Sequence, residues 1–284
     1  MNTVNQTFNW SRFTAALRKE IVENKRGIFF TIIGIYGLLT IIMILGNLIT
    51  HQPEFYAVPE ANYLPQMMVG SIASFVICIS ASLAFRNLKS KAGRTYLLTS
   101  PSSTLEKFLV NVLIYVVGII VAYFACAQLA DLTRIAALWW FKSESFIVPG
   151  PINFLNSISE TMRAFDELEN VNRITSFMSI AMWIGLIANA GLFLLGSVIW
   201  PRLSALKTFA ALYAFEFVLF LIALPIVIAI GDMEAFGLWF LDFVSGGHFS
   251  ISMVILTIVE AIGFFALAWY LFKHKDVVSL KWWK

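Results

Sequence analysis

Six apolar runs of about 20 residues, the length a helix needs to cross a roughly 30 Å hydrocarbon layer, leave this chain few ways to fold. They cover about 28–50, 67–85, 107–130, 174–199, 208–230 and 249–272. Lipid offers backbone N–H and C=O groups no partner, so runs of this length and Leu/Ile/Phe content are expected to be helical. The chain is 59% hydrophobic and 13% charged, against about 45–50% and about 25% in an ordinary soluble domain. A soluble fold would have nowhere to put 26 Phe and 9 Trp in 284 residues. The expected fold class is all-α: one polytopic transmembrane domain over residues 1–284. A net charge of +3 is too small to suggest a nucleic-acid partner. Cys78 and Cys126 fall within apolar runs and read as small core residues, with neither metal-ligand nor disulfide-framework spacing. No cleavable signal peptide is expected, because the first 27 residues are too polar and no small-residue cleavage site follows the first apolar run.

Orientation follows from the excess of Lys and Arg on cytoplasmic connections. With both termini in the cytoplasm, 16 of the 20 Lys and Arg fall inside. They lie in the N-terminal segment, the connection after the second run, the short connection at Arg202 and Lys207, and the tail. Only Arg134, Lys142, Arg163 and Arg173 fall outside, where most of the acids gather. That places the chain in a cytoplasmic (inner) membrane with cytoplasmic ends.

Three connections carry patterns of their own. Residues 9–27 place Trp10, Phe13, Leu17 and Ile21 at helical spacing with Arg, Lys and Glu on the remaining face, the pattern of an amphipathic helix lying on a membrane surface. Residues 87–103 form a basic cytoplasmic loop with turns at Gly93 and Pro101. A short helix or turn at about 87–99 would present Arg86, Lys89, Lys91 and Arg94 together with Tyr96, Leu97 and Leu98. Anionic lipid would satisfy the charges; Tyr96-Leu97-Leu98 either fill a groove on a protein or return to the bilayer. Ser103 and Glu106 offer a capping box for the third span. Outside, residues 131–172 are the longest connection and contain an acidic amphipathic stripe suited to the outer membrane face or to an extracytoplasmic partner. Residues 231–248 are apolar but Gly-interrupted and too short to span, as expected of a re-entrant or interfacial hairpin buried in protein.

Within the spans, Gly70, Ser74, Cys78 and Ser82 recur every four residues, a small-residue face that lets another helix approach or lines a path. Glu216 and Glu260 fall roughly 13 and 18 Å from the cytoplasmic ends at about 1.5 Å per residue, where a charge costs about 2.5–3.5 kcal/mol or more. No Lys or Arg shares that depth, so hydrogen bonds to Asn189, Gln128 or each other, or protonation, are expected. Several chemistries are missing. There is no Walker A pattern, no HExxH and no GxSxG. The three histidines, His51, His248 and His274, sit at span edges. No nucleophile-and-base constellation is present, so the chain itself is not expected to be an enzyme or to hold a cofactor or metal.

A surface helix, six spans with both ends inside, a basic loop after the second span and a hairpin before the last: this order resembles the membrane (permease) subunits of type-2, ABCG-like ABC exporters. "LLTSPSSTLEKFLVN" (residues 97–111) is similar to the Pro-Ser turn and helix start that such permeases often carry. The resemblance implies that residues 87–99 are a coupling helix docking onto an ABC ATPase subunit, which would hold ATP and Mg. The surface helix would also touch that subunit. The second and fifth spans, with the small-residue face and Glu216, would flank a path between two permease chains in a homo- or heterodimer. The long 131–172 connection and Trp139-Trp140 depart from many such permeases and suit an additional partner. An apolar path implies a hydrophobic or amphipathic cargo. Two other readings stand beside it: an ion-coupled carrier using Glu216 and Glu260, and a non-transporting membrane scaffold or sensor.

Overall fold

The structure, a computed structural model, describes residues 8–49, 63–140, 172–230 and 247–274; among them the chain is almost entirely helical, with no strand. The long helices are α1 (Trp10–Ile49), α2 (Tyr63–Leu83), α4 and α5 (Thr104–Val112 and Ile119–Trp140), α6 (Asn172–Ile199), α7 (Ser204–Ile230) and α8 (Gly247–Lys273), with a short α3 (Lys91–Thr99) between α2 and α4. Each apolar run thus lies on a helix. Four helical stretches are long and apolar enough to cross a membrane: Trp10–Gly46, Thr104–Trp140, Ser204–Ile222 and Ile251–Lys273. Val69–Leu83 and Trp183–Ile199 are shorter apolar helices.

Two compact units divide the chain: Met1–Ile77 with Leu105–Ala164, and Cys78–Thr104 with Phe165–Lys284. In the first, α1 runs beside α4–α5 in the same direction. Arg12 meets Glu106 at 3.1 Å, the Cys126 thiol points at the Ile32 carbonyl at 3.8 Å, and the Tyr36 and Thr133 hydroxyls are 3.4 Å apart. These pairs are 94, 94 and 97 residues apart in sequence, so the register is nearly constant along both helices. Leu39 and Met43 of α1 and Tyr123 and Ala127 of α5 are wholly enclosed. Tyr123 donates its hydroxyl to the Val69 carbonyl at 2.5 Å, tying α2 to α5.

Three features depart from the sequence expectation. The break expected between a surface helix ending near 27 and a span starting near 28 is absent, since Trp10–Ile49 is one helix of 40 residues. Nothing local stops it: Gly27 is a single glycine with open space around it. Second, the helix expected to end near 130 continues to Trp140. Arg134, placed by charge counting in an outer connection, is therefore helical and fully buried, in a 2.7 Å ion pair with Asp131. Third, Leu113–Gly118 between α4 and α5 is π-helical, and a Cβ at Gly118 would lie 3.1 Å from the Leu113 carbonyl oxygen. One further consequence concerns register. Arg18 to Arg26 of α1, mostly exposed, lie beside residues of about 112–120, an uncharged stretch. The first and third apolar runs are thus offset by about 15 residues, or about 22 Å of helix rise.

In the second unit α6 packs against α8 and against the start of α7. The close approaches occur at glycines: a Cβ at Gly191 would meet the Phe265 ring at 2.9 Å, and one at Gly196 would collide with the Thr208 hydroxyl. Phe193 and Phe209 stack edge-on at 4.6 Å, and Phe85 lies 4.7 Å from Phe272. Beyond its first turns α7 is exposed on all sides through Ile222. Between α6 and α7 the chain turns through Pro201–Leu203, where Leu203 adopts φ 56, the left-handed region that bulky side chains rarely visit. The expected hairpin at 231–248, most of it at 231–246, lies outside the described residues, as do 141–171 of the outer connection and the tail from 275.

Candidate functional site

The basic loop is built rather than merely linked. After α2, Arg86–Lys89 form one 3₁₀ turn and Lys91–Thr99 an α-helix. Ser90 separates them in extended conformation and caps α3, its hydroxyl accepting from the Gly93 N–H at 3.0 Å. Such a cap contributes about 1 kcal/mol. Gly93 is required by space, because any Cβ there would collide with the Asn87 carbonyl. Leu88 is the buried foot of the turn and Phe85, fully buried, packs on Phe272. Arg94 folds back, donating to the Leu88 carbonyl at 3.3 Å. At the far end the Thr99 hydroxyl donates to the Thr95 carbonyl at 2.6 Å and that of Ser100 to the Leu97 carbonyl at 3.1 Å.

This architecture sorts the residues singled out in the sequence. Arg86, Lys89 and Lys91 are exposed and Tyr96 is 50% exposed; Arg94 and Leu97 are half-buried. Leu98 lies in the last turn of α3. A rigid, basic surface carrying one large aromatic ring results. On α1, Phe13 is buried and Leu17 half-buried, while Trp10 and Ile21 are exposed, so the apolar stripe is divided between the fold and its surroundings.

The polar residues singled out on the long helices differ in exposure. Cys78 and Ser82 are buried and Gly70 and Ser74 half-buried. Ser82 bonds its own helix, donating to the Ile79 carbonyl at 2.6 Å, and a Cβ at Gly70 would meet nothing within 4 Å. Close helix approach occurs at Gly191 and Gly196. Glu216, Glu260 and Asn189 are all exposed. Within the second unit no hydrogen bond joins the two acids to each other or to Asn189 among the described residues. α7 and α8 each pack on α6, and that leaves their acids facing outward.

The buried charges lie elsewhere. Glu106, Asp131 and Arg134 have no exposed surface and Lys107 retains 6%. Glu106 accepts from the Asn9 backbone N–H at 2.8 Å and from Arg12 at 3.1 Å. Sequence inspection gave Glu106 only a local capping role. The i,i+3 spacing of Asp131 and Arg134 was the available signal for their pair. Among the described residues no group of His, Cys, Asp and Glu could hold a metal ion. The chain matches no protein-family model, no curated protein and no solved structure.

Proposed function

We propose that this chain is the permease subunit of an ATP-driven transporter resembling the type-2, ABCG-like exporters. It has six membrane spans, a re-entrant segment before the last, and both termini in the cytoplasm. ATP and Mg belong to a separate ATPase subunit that docks on residues 86–99. Two permease chains pair to form the path, and the cargo is hydrophobic or amphipathic. The observation that carries this assignment is the docking loop itself. A loop that merely joined two spans would need neither the Ser90 cap nor the close Gly93–Asn87 approach. A rigid helix with exposed Arg86, Lys89, Lys91 and Tyr96 suits an external protein groove, because pre-ordered side chains lose less entropy on binding.

The test is co-purification from gently solubilised membranes, with Tyr96→Ala/Leu97→Ala as the control. A nucleotide-binding protein carrying a Walker A motif is expected with the wild type and not with the double variant. Its absence from the wild type overturns the assignment. A second reading, an ion-coupled carrier, draws on the exposed Glu216 and Glu260, which bond no described residue. It requires transport that survives removal of the loop's charges and is lost in Glu216→Gln or Glu260→Gln.

A further inference from the structure

The start of α1 is fastened to the start of α4 by one carboxylate. Glu106 is fully buried, and its Oε1 accepts from the Asn9 N–H at 2.8 Å and from Arg12 Nη2 at 3.1 Å. Asn9 in turn caps α1, its Oδ1 accepting from the N–H groups of Ser11 at 2.9 Å and Arg12 at 3.5 Å. A negative charge at this helix N-terminus is also favoured by the helix dipole. Phe8, Trp10 and Phe13 cluster beside it, with ring centroids 5.5–6.2 Å apart. Glu106 lies in the first turn of α4, directly after the loop that carries α3. The loop is thus joined to α2 at one end and, through residues 100–103, to the helix turn that holds Glu106 at the other.

We infer that Glu106 is a positioning residue that passes movement of the docking loop to α1. The inference rests on the docking-loop assignment above. The choice of side chain supports it. A purely structural anchor between two helices is served as well by apolar packing, since replacing a buried ion pair with well-packed hydrophobic residues is often neutral or stabilising. Here an ionic contact stands instead, with one partner enclosed and the other 41% exposed. Such a contact is directional and can be broken and remade from the exposed side. It also falls ahead of the π-helical Leu113–Gly118, a wider turn of the kind often found at functional sites. The clamped turn is thereby set apart from α5.

The experiment uses the full chain purified with its co-purifying ATPase, and reads ATP hydrolysis per ATPase subunit relative to the isolated ATPase. Trypsin cleavage after Arg18 in inside-out vesicles reports independently on whether the start of α1 is held. Arg12→Gln acts from the exposed side and spares the fold; Glu106→Gln is its buried counterpart. Both are expected to retain the ATPase. Each is expected to lower the chain-dependent part of hydrolysis and to speed cleavage after Arg18, by about tenfold, the factor implied by loss of one charge-assisted hydrogen bond. Arg12→Lys, which keeps the charge, restores both. Unchanged hydrolysis in Arg12→Gln with the ATPase still bound overturns the coupling role alone. A fall that Arg12→Lys does not reverse overturns it as well. If the wild type brings down no ATPase, the docking assignment falls and the coupling role with it.

Discussion

The two compact units are held together by different physics. In the first, α1 and α4–α5 are fastened at intervals by polar contacts: Glu106 with Arg12 and Asn9, Tyr36 with Thr133, and Cys126 with Ile32. Asp131 and Arg134 add a pair enclosed within the unit. In the second, α6, α7 and α8 meet through glycines and aromatic rings, with Gly191 under Phe265, Gly196 under Thr208, and Phe193 on Phe209. Polar fasteners fix register because each has one correct partner. Close packing at glycines fixes distance but leaves the remaining helix surface uncommitted. Glu106 and Asp131 are enclosed with cationic partners, whereas Glu216 and Glu260 are exposed and bond no described residue.

The sharpest way to break this comparison is at Asp131–Arg134. Asp131→Asn or Arg134→Gln strands a buried charge, and each is expected to lower stability by about 3–5 kcal/mol. Asp131→Leu with Arg134→Met should recover most of that loss. Thermal unfolding of the detergent-solubilised variants measures both, and a single variant as stable as wild type would show that the pair fixes nothing. Next in size is Gly196→Ala. The added methyl must displace Thr208, at an expected cost of about 1–3 kcal/mol, while Gly27→Ala, in open space, should be neutral or stabilising by about 0.5–1 kcal/mol. Equal losses at the two positions would remove the distinction between packed and open glycines. Ser90→Ala should cost the α3 cap about 1 kcal/mol, read as faster hydrogen exchange confined to residues 91–99. At the small end, Glu216→Leu removes an exposed acid that bonds no described residue, so stability is expected to be unchanged or to rise, never to fall. A large loss there would show that a partner holds the side chain in the membrane.

Much of the helical layout was legible in the residues. Runs of apolar side chains long enough to span a bilayer have one economical backbone solution, so the positions of the helices were close at hand, and so was the short helix of the basic loop. The turn expected at Gly93 is instead the first turn of α3, and the cap there is Ser90, which the residues alone did not single out. The parts that were not legible depend on neighbours. The charges place a surface helix up to residue 27 and start the first span at about 28, but nothing in Lys25-Arg26-Gly27 stops the helix itself, so α1 runs unbroken. Arg134 counts as an outer charge in any tally of loops, yet Asp131 one turn earlier lets α5 continue and enclose it. The close approaches at Gly191 and Gly196 depend on Phe265 and Thr208, which lie on other helices.

By itself the sequence determined that this chain is helical, rich enough in lipid-compatible surface for a membrane, and furnished with a basic loop holding a short helix between two long ones. Those properties depend on side chains within one or two turns of each other or on bulk hydrophobicity, both of which add along the chain. Tertiary structure alone decided which charges are enclosed and which face outward, and the offset of about 15 residues between the first and third apolar runs. Burial and register depend on contacts between residues almost a hundred positions apart, such as Arg12 with Glu106. A linear pattern holds no information about which of many possible partners a helix face will meet.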